Sequence, residues 1–93
     1  MKKNEMSLKN TVENMLSDDY RKRFVAEYWQ LKIRYDKLRD FCNRIEAAEI
    51  DGTEPPAHDC PLKLLRKQQR FMGNYLHILE VRAEIEAVNL FEE

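Results

Sequence analysis

An apolar repeat in the first half of the sequence constrains the fold more than any other feature. Apolar side chains recur there at alternating spacings of four and three residues, which gives a period of 3.5 residues. A helix with that period keeps one face against a partner helix along its whole length. This first seam consists of Phe24, Tyr28, Leu31, Tyr35, Leu38, Cys42 and Ile45.

Capping signals around the repeat predict one long helix over about residues 18–49. Ser17 is a suitable N-cap, and the two aspartates that follow it complement the positive end of the helix dipole. A short helix over about residues 8–16 is predicted to precede it, because apolar residues there also recur on one side.

A glycine and two consecutive prolines predict a loop over about residues 50–60. A second long helix is then predicted over about residues 61–90. Asp59 or Cys60 can cap it, and Pro61 suits its first turn, where a missing N–H group costs little.

The second helix carries two apolar stripes. The stripe expected to face the first helix contains Leu62, Leu65, Gln69, Met72, Leu76, Leu79, Ala83 and Leu90. The other, named the outer stripe here, contains Leu64, Phe71, Tyr75, Ile78 and Ile85. At 1.5 Å per residue both long helices measure about 45–48 Å. The sequence therefore predicts a single all-α domain over residues 1–93, built as an antiparallel helical hairpin with a short N-terminal helix.

Charge segregation independently favours the antiparallel arrangement. Both predicted long helices begin with basic residues and end with acidic ones. The acidic end of the first includes Glu46 and Glu49, and that of the second includes Glu92 and Glu93. Antiparallel packing sets each basic end beside an acidic end.

The apolar surface exceeds what one hairpin can bury. Besides the outer stripe, Trp29 and Phe41 lie off the seam of the first helix. A two-helix unit of 93 residues also buries a small share of its surface on its own. We therefore expect a homo-oligomer, most economically a dimer that forms a four-helix bundle.

Composition excludes several classes of protein. A net charge of −1 argues against generic nucleic-acid binding, and two glycines are too few for a phosphate-binding loop. The sequence shows no signal-peptide pattern, no membrane-spanning run and no disulfide framework, so we expect a cytoplasmic protein with no membrane association. No catalytic or metal-binding motif is found, and we expect a non-enzyme without a cofactor or metal.

A basic strip at the start of the second helix is the best candidate site. It consists of Lys63, Arg66, Lys67 and Arg70, whose i, i+3, i+4, i+7 spacing places them on one face beside the positive helix end. Such a face can bind phosphate. The alternative is that these residues form salt bridges with the acidic end of the first helix.

One motif lies in the second predicted helix, and two shorter ones, Glu27-Tyr28-x-x-Leu31 and Tyr35-x-x-Leu38, lie in the first. The longer motif is Cys60-Pro61-Leu62-x-Leu64-Leu65-x-x-Gln68-x-x-x-Met72-x-x-Tyr75-Leu76-x-Ile78-Leu79-x-x-Arg82-Ala83-x-Ile85-Glu86. With these motifs the chain resembles a family of small helical-hairpin proteins of phages and prophages, the crAss-phage-related family. The likeness extends over about residues 27–90, and Gln68 and Arg82 are its polar exceptions within the outer stripe.

This resemblance implies a phage-encoded protein, and small phage proteins without catalytic motifs frequently counter host defence. The predicted architecture is also similar to oligomeric phage sponges that sequester cyclic oligonucleotide or cyclic ADP-ribose immune signals. The leading hypothesis is such a sponge, which holds the signal at a subunit interface without turnover. The basic strip would bind phosphate, and Gln68, Tyr75 or Arg82 would line the pocket. The alternative is an interaction module that blocks a host defence factor, such as a nuclease, by direct binding.

Overall fold

The computed structural model describes residues 7–91, which fold into three α-helices and contain no strand. These are α1 (Val12–Met15), α2 (Tyr20–Asp51) and α3 (Leu62–Glu86), and a 3₁₀ turn (Lys9–Thr11) leads into α1. The two long helices pack antiparallel in a molecule 49 Å long. The predicted all-α hairpin with a short N-terminal helix is thus confirmed.

The first long helix begins slightly later than its sequence suggests. Asp19 is its N-cap, because its carboxylate accepts a hydrogen bond of 2.9 Å from the backbone N–H of Arg21. The prediction of Ser17 as the cap was wrong: its hydroxyl instead accepts from the N–H of Asp19 at 3.0 Å and fixes the turn before the helix. At the other end Gly52 adopts a left-handed conformation with φ of 75° and stops the helix.

The start of α3 does not use the predicted side-chain cap. Pro61 occupies the N-cap position in an extended conformation, and its carbonyl accepts from the N–H groups of Leu64 and Leu65. No side chain donates to or accepts from this helix end, so the predicted cap by Asp59 or Cys60 was wrong. The proline ring already fixes the backbone angle that a helix start requires.

The end of α3 comes several residues before the predicted one. Ala87 takes a left-handed conformation with φ of 56°, and Val88 donates its N–H to the carbonyl of Ala83 at 2.9 Å. The chain then turns back over α2, where the carbonyl of Leu90 accepts the indole N–H of Trp29 at 2.7 Å. We call residues 88–91 the C-terminal strap. It covers Trp29, whose position off the first seam predicted apolar surface that one hairpin does not bury.

The core lies between the facing seams of α2 and α3 and includes Val88 and Leu90 of the strap. Within the first seam, Cys42 and Ile45 are fully buried near the loop, and Gly73 of α3 packs closely against Tyr35. A Cβ atom at Gly73 would lie 3.2 Å from Cε1 of Tyr35, so the absence of a side chain at this position makes room for the tyrosine ring. The main buried cluster contains Phe24, Tyr28, Trp29, Leu76, Leu79, Ala83, Val88 and Leu90.

The N-terminal segment packs on α2 and, within the described residues, makes no contact with α3. Thr11 is fully buried there, and its hydroxyl accepts a hydrogen bond of 3.0 Å from the side chain of Gln30. None of the helices in residues 7–91 is long and apolar enough to cross a membrane. Glu92 and Glu93, which the charge argument used, lie outside the described residues.

Candidate functional site

The basic strip divides into one residue that faces α2 and three that face outward. Arg66 donates to the carboxylate of Glu46 at 3.1 Å and to the side-chain oxygen of Asn43 at 3.0 Å, both on α2. Its other terminal nitrogen donates to Gln69 at 2.7 Å. For Arg66 the geometry is therefore that of the interhelical salt bridge.

Lys63, Lys67 and Arg70 are exposed on the outward side of the first turns of α3. Among residues 7–91, no carboxylate lies at salt-bridge distance from any of the three. The guanidinium of Arg70 instead lies 5.3 Å from the ring centroid of Phe71, its neighbour in the outer stripe. Three cationic groups within two helical turns form a surface that an anion can approach.

A second polar cluster lies near the opposite end of α3, around Arg82. Its guanidinium donates to the carboxylate of Glu86 at 2.9 Å and to the hydroxyl of Tyr20, and it stacks 4.9 Å from the ring centroid of Phe24. Tyr20 in turn donates to Glu86 at 2.8 Å. Hydrogen bonds from Tyr20 and Arg82 lower the pKa of Glu86, and the bond to Glu86 raises the pKa of Tyr20.

Of the remaining predicted site residues, Gln68 lies within the span of the basic strip and Tyr75 lies between the strip and the Arg82 cluster. The Tyr75 hydroxyl donates to the carboxylate of Glu27 on α2, which raises the pKa of Tyr75. Gln68 is exposed. Since Gln68, Tyr75 and Arg82 are spaced seven residues apart, they form one row along α3 with steps of about 10 Å.

One chain does not bring the seven predicted site residues into a single pocket. Lys67 and Arg82 lie fifteen positions apart, which corresponds to about 22 Å along the helix axis. That distance exceeds the reach of two side chains that converge on one phosphate group. A single protomer thus presents a basic end and an Arg82 cluster as separate surfaces.

The outer stripe runs along α3 from the basic strip to the Arg82 cluster and is exposed to solvent. Phe71 and Ile78 are each 56% exposed and Ile85 is 78% exposed, while Leu64 and Tyr75 are also exposed. No part of α1 reaches this face, because α1 contacts α2 and not α3 within the described residues.

Sequence reasoning missed the α2 residues that hold the site residues in place. Tyr20 and Glu27 orient Arg82 and Tyr75, and Asn43 shares Arg66 with Glu46. Tyr20 gave no signal of this kind, because the alternation of the first seam places Arg21, three residues before Phe24, at the next position.

Metal-binding geometry is not found in the described part of the chain. Within residues 7–91, no three histidine, cysteine, aspartate or glutamate side chains converge on a common point. Of the two cysteines, Cys42 is buried and Cys60 is exposed.

Comparison with known proteins identifies the family. A sequence model named Sequestin matches residues 18–85, which is more than half of the chain. The chain belongs to the Sequestin family. The matched region begins after α1 and includes α2, the loop and nearly all of α3 with the basic strip. No curated protein and no solved structure matches the chain significantly. The name Sequestin suggests that a binding partner is sequestered, and it does not specify that partner.

Proposed function

We propose that this protein is a phage-encoded, non-enzymatic sponge that sequesters an anionic nucleotide-type immune signal in the cytoplasm of the infected host. The single observation that carries the proposal is the set of three outward-facing cations, Lys63, Lys67 and Arg70, which no carboxylate of residues 7–91 neutralises. The family name supports a sequestering role. The ligand class, a cyclic oligonucleotide or cyclic ADP-ribose type of molecule, follows from the likeness to phage sponges.

The chemistry of the strip suits binding without turnover. A guanidinium and two ammonium groups supply charge-assisted hydrogen bonds to phosphate oxygens, and the N-terminal end of α3 adds a favourable dipole.

Calorimetric titration with cyclic oligonucleotides and ADP-ribose derivatives tests this proposal. The double variant Lys67→Ala/Arg70→Ala is expected to weaken binding by at least about tenfold, since each lost charged hydrogen bond is worth about 1.5–3 kcal/mol. Arg34→Ala/Lys37→Ala is the matched control: it removes one arginine and one lysine with the same i, i+3 spacing from an exposed position on α2. Equal affinities for the two variants would contradict the assignment.

A second measurement separates sequestration from catalysis. The ligand is incubated with excess protein, released by denaturation and analysed by chromatography. We expect recovery of the unchanged ligand, whereas a modified product would show that the protein is an enzyme.

The alternative function is the direct blocking of a host defence factor through the outer stripe. Its support is the exposure of Phe71, Ile78 and Ile85 on one face. The stripe needs a partner under both hypotheses. If a host protein is the target, we expect Ile78→Lys to abolish protection of the phage and Lys67→Ala/Arg70→Ala to leave that protection unchanged.

A further inference from the structure

We propose that the outer stripe is the interface of an antiparallel homodimer, formed by α3 of two copies around a two-fold axis near Tyr75. The dimer itself is independent of the proposed ligand. Its consequence for the site, given below, rests on the proposed function.

The spacing of the stripe is that of a helix–helix seam. Positions 64, 68, 71, 75, 78, 82 and 85 alternate by four and three residues, the same 3.5-residue period that lets α2 pack along its length. Apolar residues occupy five of these positions. A straight face with this period over more than five turns fits another long helix, which a second copy of α3 supplies.

The exposed area matches what a dimer of this size requires. Leu64, Phe71, Tyr75, Ile78 and Ile85 are between 44% and 78% exposed, and Val81 beside them is 44% exposed. With roughly 150–250 Å² of surface for each large side chain, this corresponds to about 600 Å² per copy. A standard protein–protein interface buries about 800 Å² per partner. The outer stripe and the polar residues beside it therefore supply most of the area that such an interface needs.

Charge determines the direction of the pairing. Lys63, Arg70 and Glu84 lie on one flank of the stripe, since they are spaced by multiples of seven residues. A two-fold axis perpendicular to the helices brings the same flank of both copies together. In the antiparallel arrangement the basic end of one copy then faces Glu84 of the partner subunit. A parallel pair would instead place like charges side by side.

The antiparallel register joins the two halves of the candidate site. With the axis near Tyr75, Lys67 and Gln68 of one copy lie across from Arg82 of the partner subunit. The separation of about 22 Å between Lys67 and Arg82 within one chain is thereby removed. Each dimer has two such composite sites, each with the basic strip from one copy and an arginine from the other.

Sedimentation of the full chain tests the dimer. We expect a dimer at micromolar concentration, and we expect Ile78→Lys to raise its dissociation constant by at least about tenfold, because a central apolar contact becomes a buried charge. Ile50→Lys is the control, since Ile50 is 81% exposed at the end of α2 and away from the stripe. A wild-type monomer at this concentration, or an equal effect of both substitutions, would overturn the proposal.

Disulfide trapping tests the direction in a Cys60→Ser background, with Cys42 left buried. Asn74→Cys is expected to form an intermolecular disulfide, because position 74 lies beside the axis. Lys67→Cys is expected not to, because its two copies lie about 24 Å apart along the helix axis, far beyond the Cα separation that a disulfide allows. Efficient crosslinking of Lys67→Cys would mean a parallel pair and refute the register.

Complementation tests the composite site. Lys67→Ala and Arg82→Ala are each expected to lose ligand binding while they keep the wild-type circular dichroism. Mixing the two is expected to restore binding to about a quarter of the sites, because half of the dimers are mixed and each mixed dimer holds one intact site. No restoration would place the site within one chain. If the wild type binds no ligand at all, the proposed function fails, and the disulfide result still decides the dimer.

Discussion

The C-terminal strap gives the sharpest test of what stabilises the hairpin, through the substitution Leu90→Ala. Leu90 is 5% exposed and packs in the same cluster as Trp29, and its carbonyl accepts the indole N–H. Leucine to alanine in a core costs about 2–5 kcal/mol, and the lower part of that range applies because a segment near the chain end can relax. We expect a loss of about 2–3 kcal/mol.

That loss is a large share of the stability of a small domain, which is typically about 5–15 kcal/mol. Urea unfolding followed by far-UV circular dichroism measures it. The fluorescence of Trp29 reports the strap separately, because Trp29 is the only tryptophan of the chain. In the variant its emission should shift to the red in the absence of urea, as water reaches the ring.

Leu16→Ala is the matched control, since Leu16 is 75% exposed. It should change the free energy of unfolding by less than about 0.5 kcal/mol. The reasoning is refuted if Leu90→Ala has an equally small effect and leaves the emission maximum unchanged, because the strap would then contribute nothing to the core.

Three further substitutions test individual features. Gly73→Ala should stabilise the Tyr35→Leu variant by about 1 kcal/mol, the usual gain of alanine over glycine in a helix, and should stabilise the wild type by less, because there the new Cβ contacts the Tyr35 ring. Equal gains in both backgrounds, measured by urea unfolding, would show that this contact is unimportant. Ala87→Gly should stabilise by up to about 1 kcal/mol because glycine adopts φ of 56° without strain, and a lower thermal midpoint would contradict this. Burial, and then the hydrogen bond to Glu80, raise the pKa of Tyr28, so the wild type should lose stability as the pH rises above about 10. Tyr28→Phe should lose less stability between about pH 9 and 11, and parallel curves of unfolding free energy against pH for the two proteins would argue against this role of Tyr28.

The sequence was a good guide to the hairpin because a 3.5-residue period has one simple structural solution. Phe24, Tyr28, Cys42 and Ile45 are all buried at their predicted seam positions. The segregated charges also predicted the direction, and Arg66 pairs with Glu46 at the loop end as an antiparallel pair requires. Both signals are periodic or cumulative, so single-residue exceptions do not disturb them.

The early end of α3 could not be predicted because it depends on tertiary structure. Residues 87–90 contain no proline or glycine, and local propensity favours continuation of the helix. The contact with Trp29 outweighs this preference. The indole ring is buried, and its N–H finds the carbonyl of Leu90, only if the chain after Ala87 turns back over α2. Two left-handed residues, Gly52 and Ala87, end the two long helices, and only the glycine was recognisable from sequence.

The candidate site was predictable in composition but not in arrangement. Lys63, Lys67 and Arg70 lie on one exposed face, as their spacing indicated. The partners of Tyr75 and Arg82, namely Glu27 and Tyr20, come from the start of α2, some fifty to sixty residues earlier in the chain. Contacts over such separations depend on the crossing of the two helices, which periodicity alone does not define.

The attachment of α1 to α2 alone makes the N-terminal segment a separable module. The family match begins at residue 18, just past this segment, and α1 makes no contact with α3 within the described residues. The matched region therefore contains the paired helices without α1. Because α1 makes no contact with α3 within residues 7–91, the N-terminal segment is a suitable point at which to graft a fluorescent label or an affinity tag.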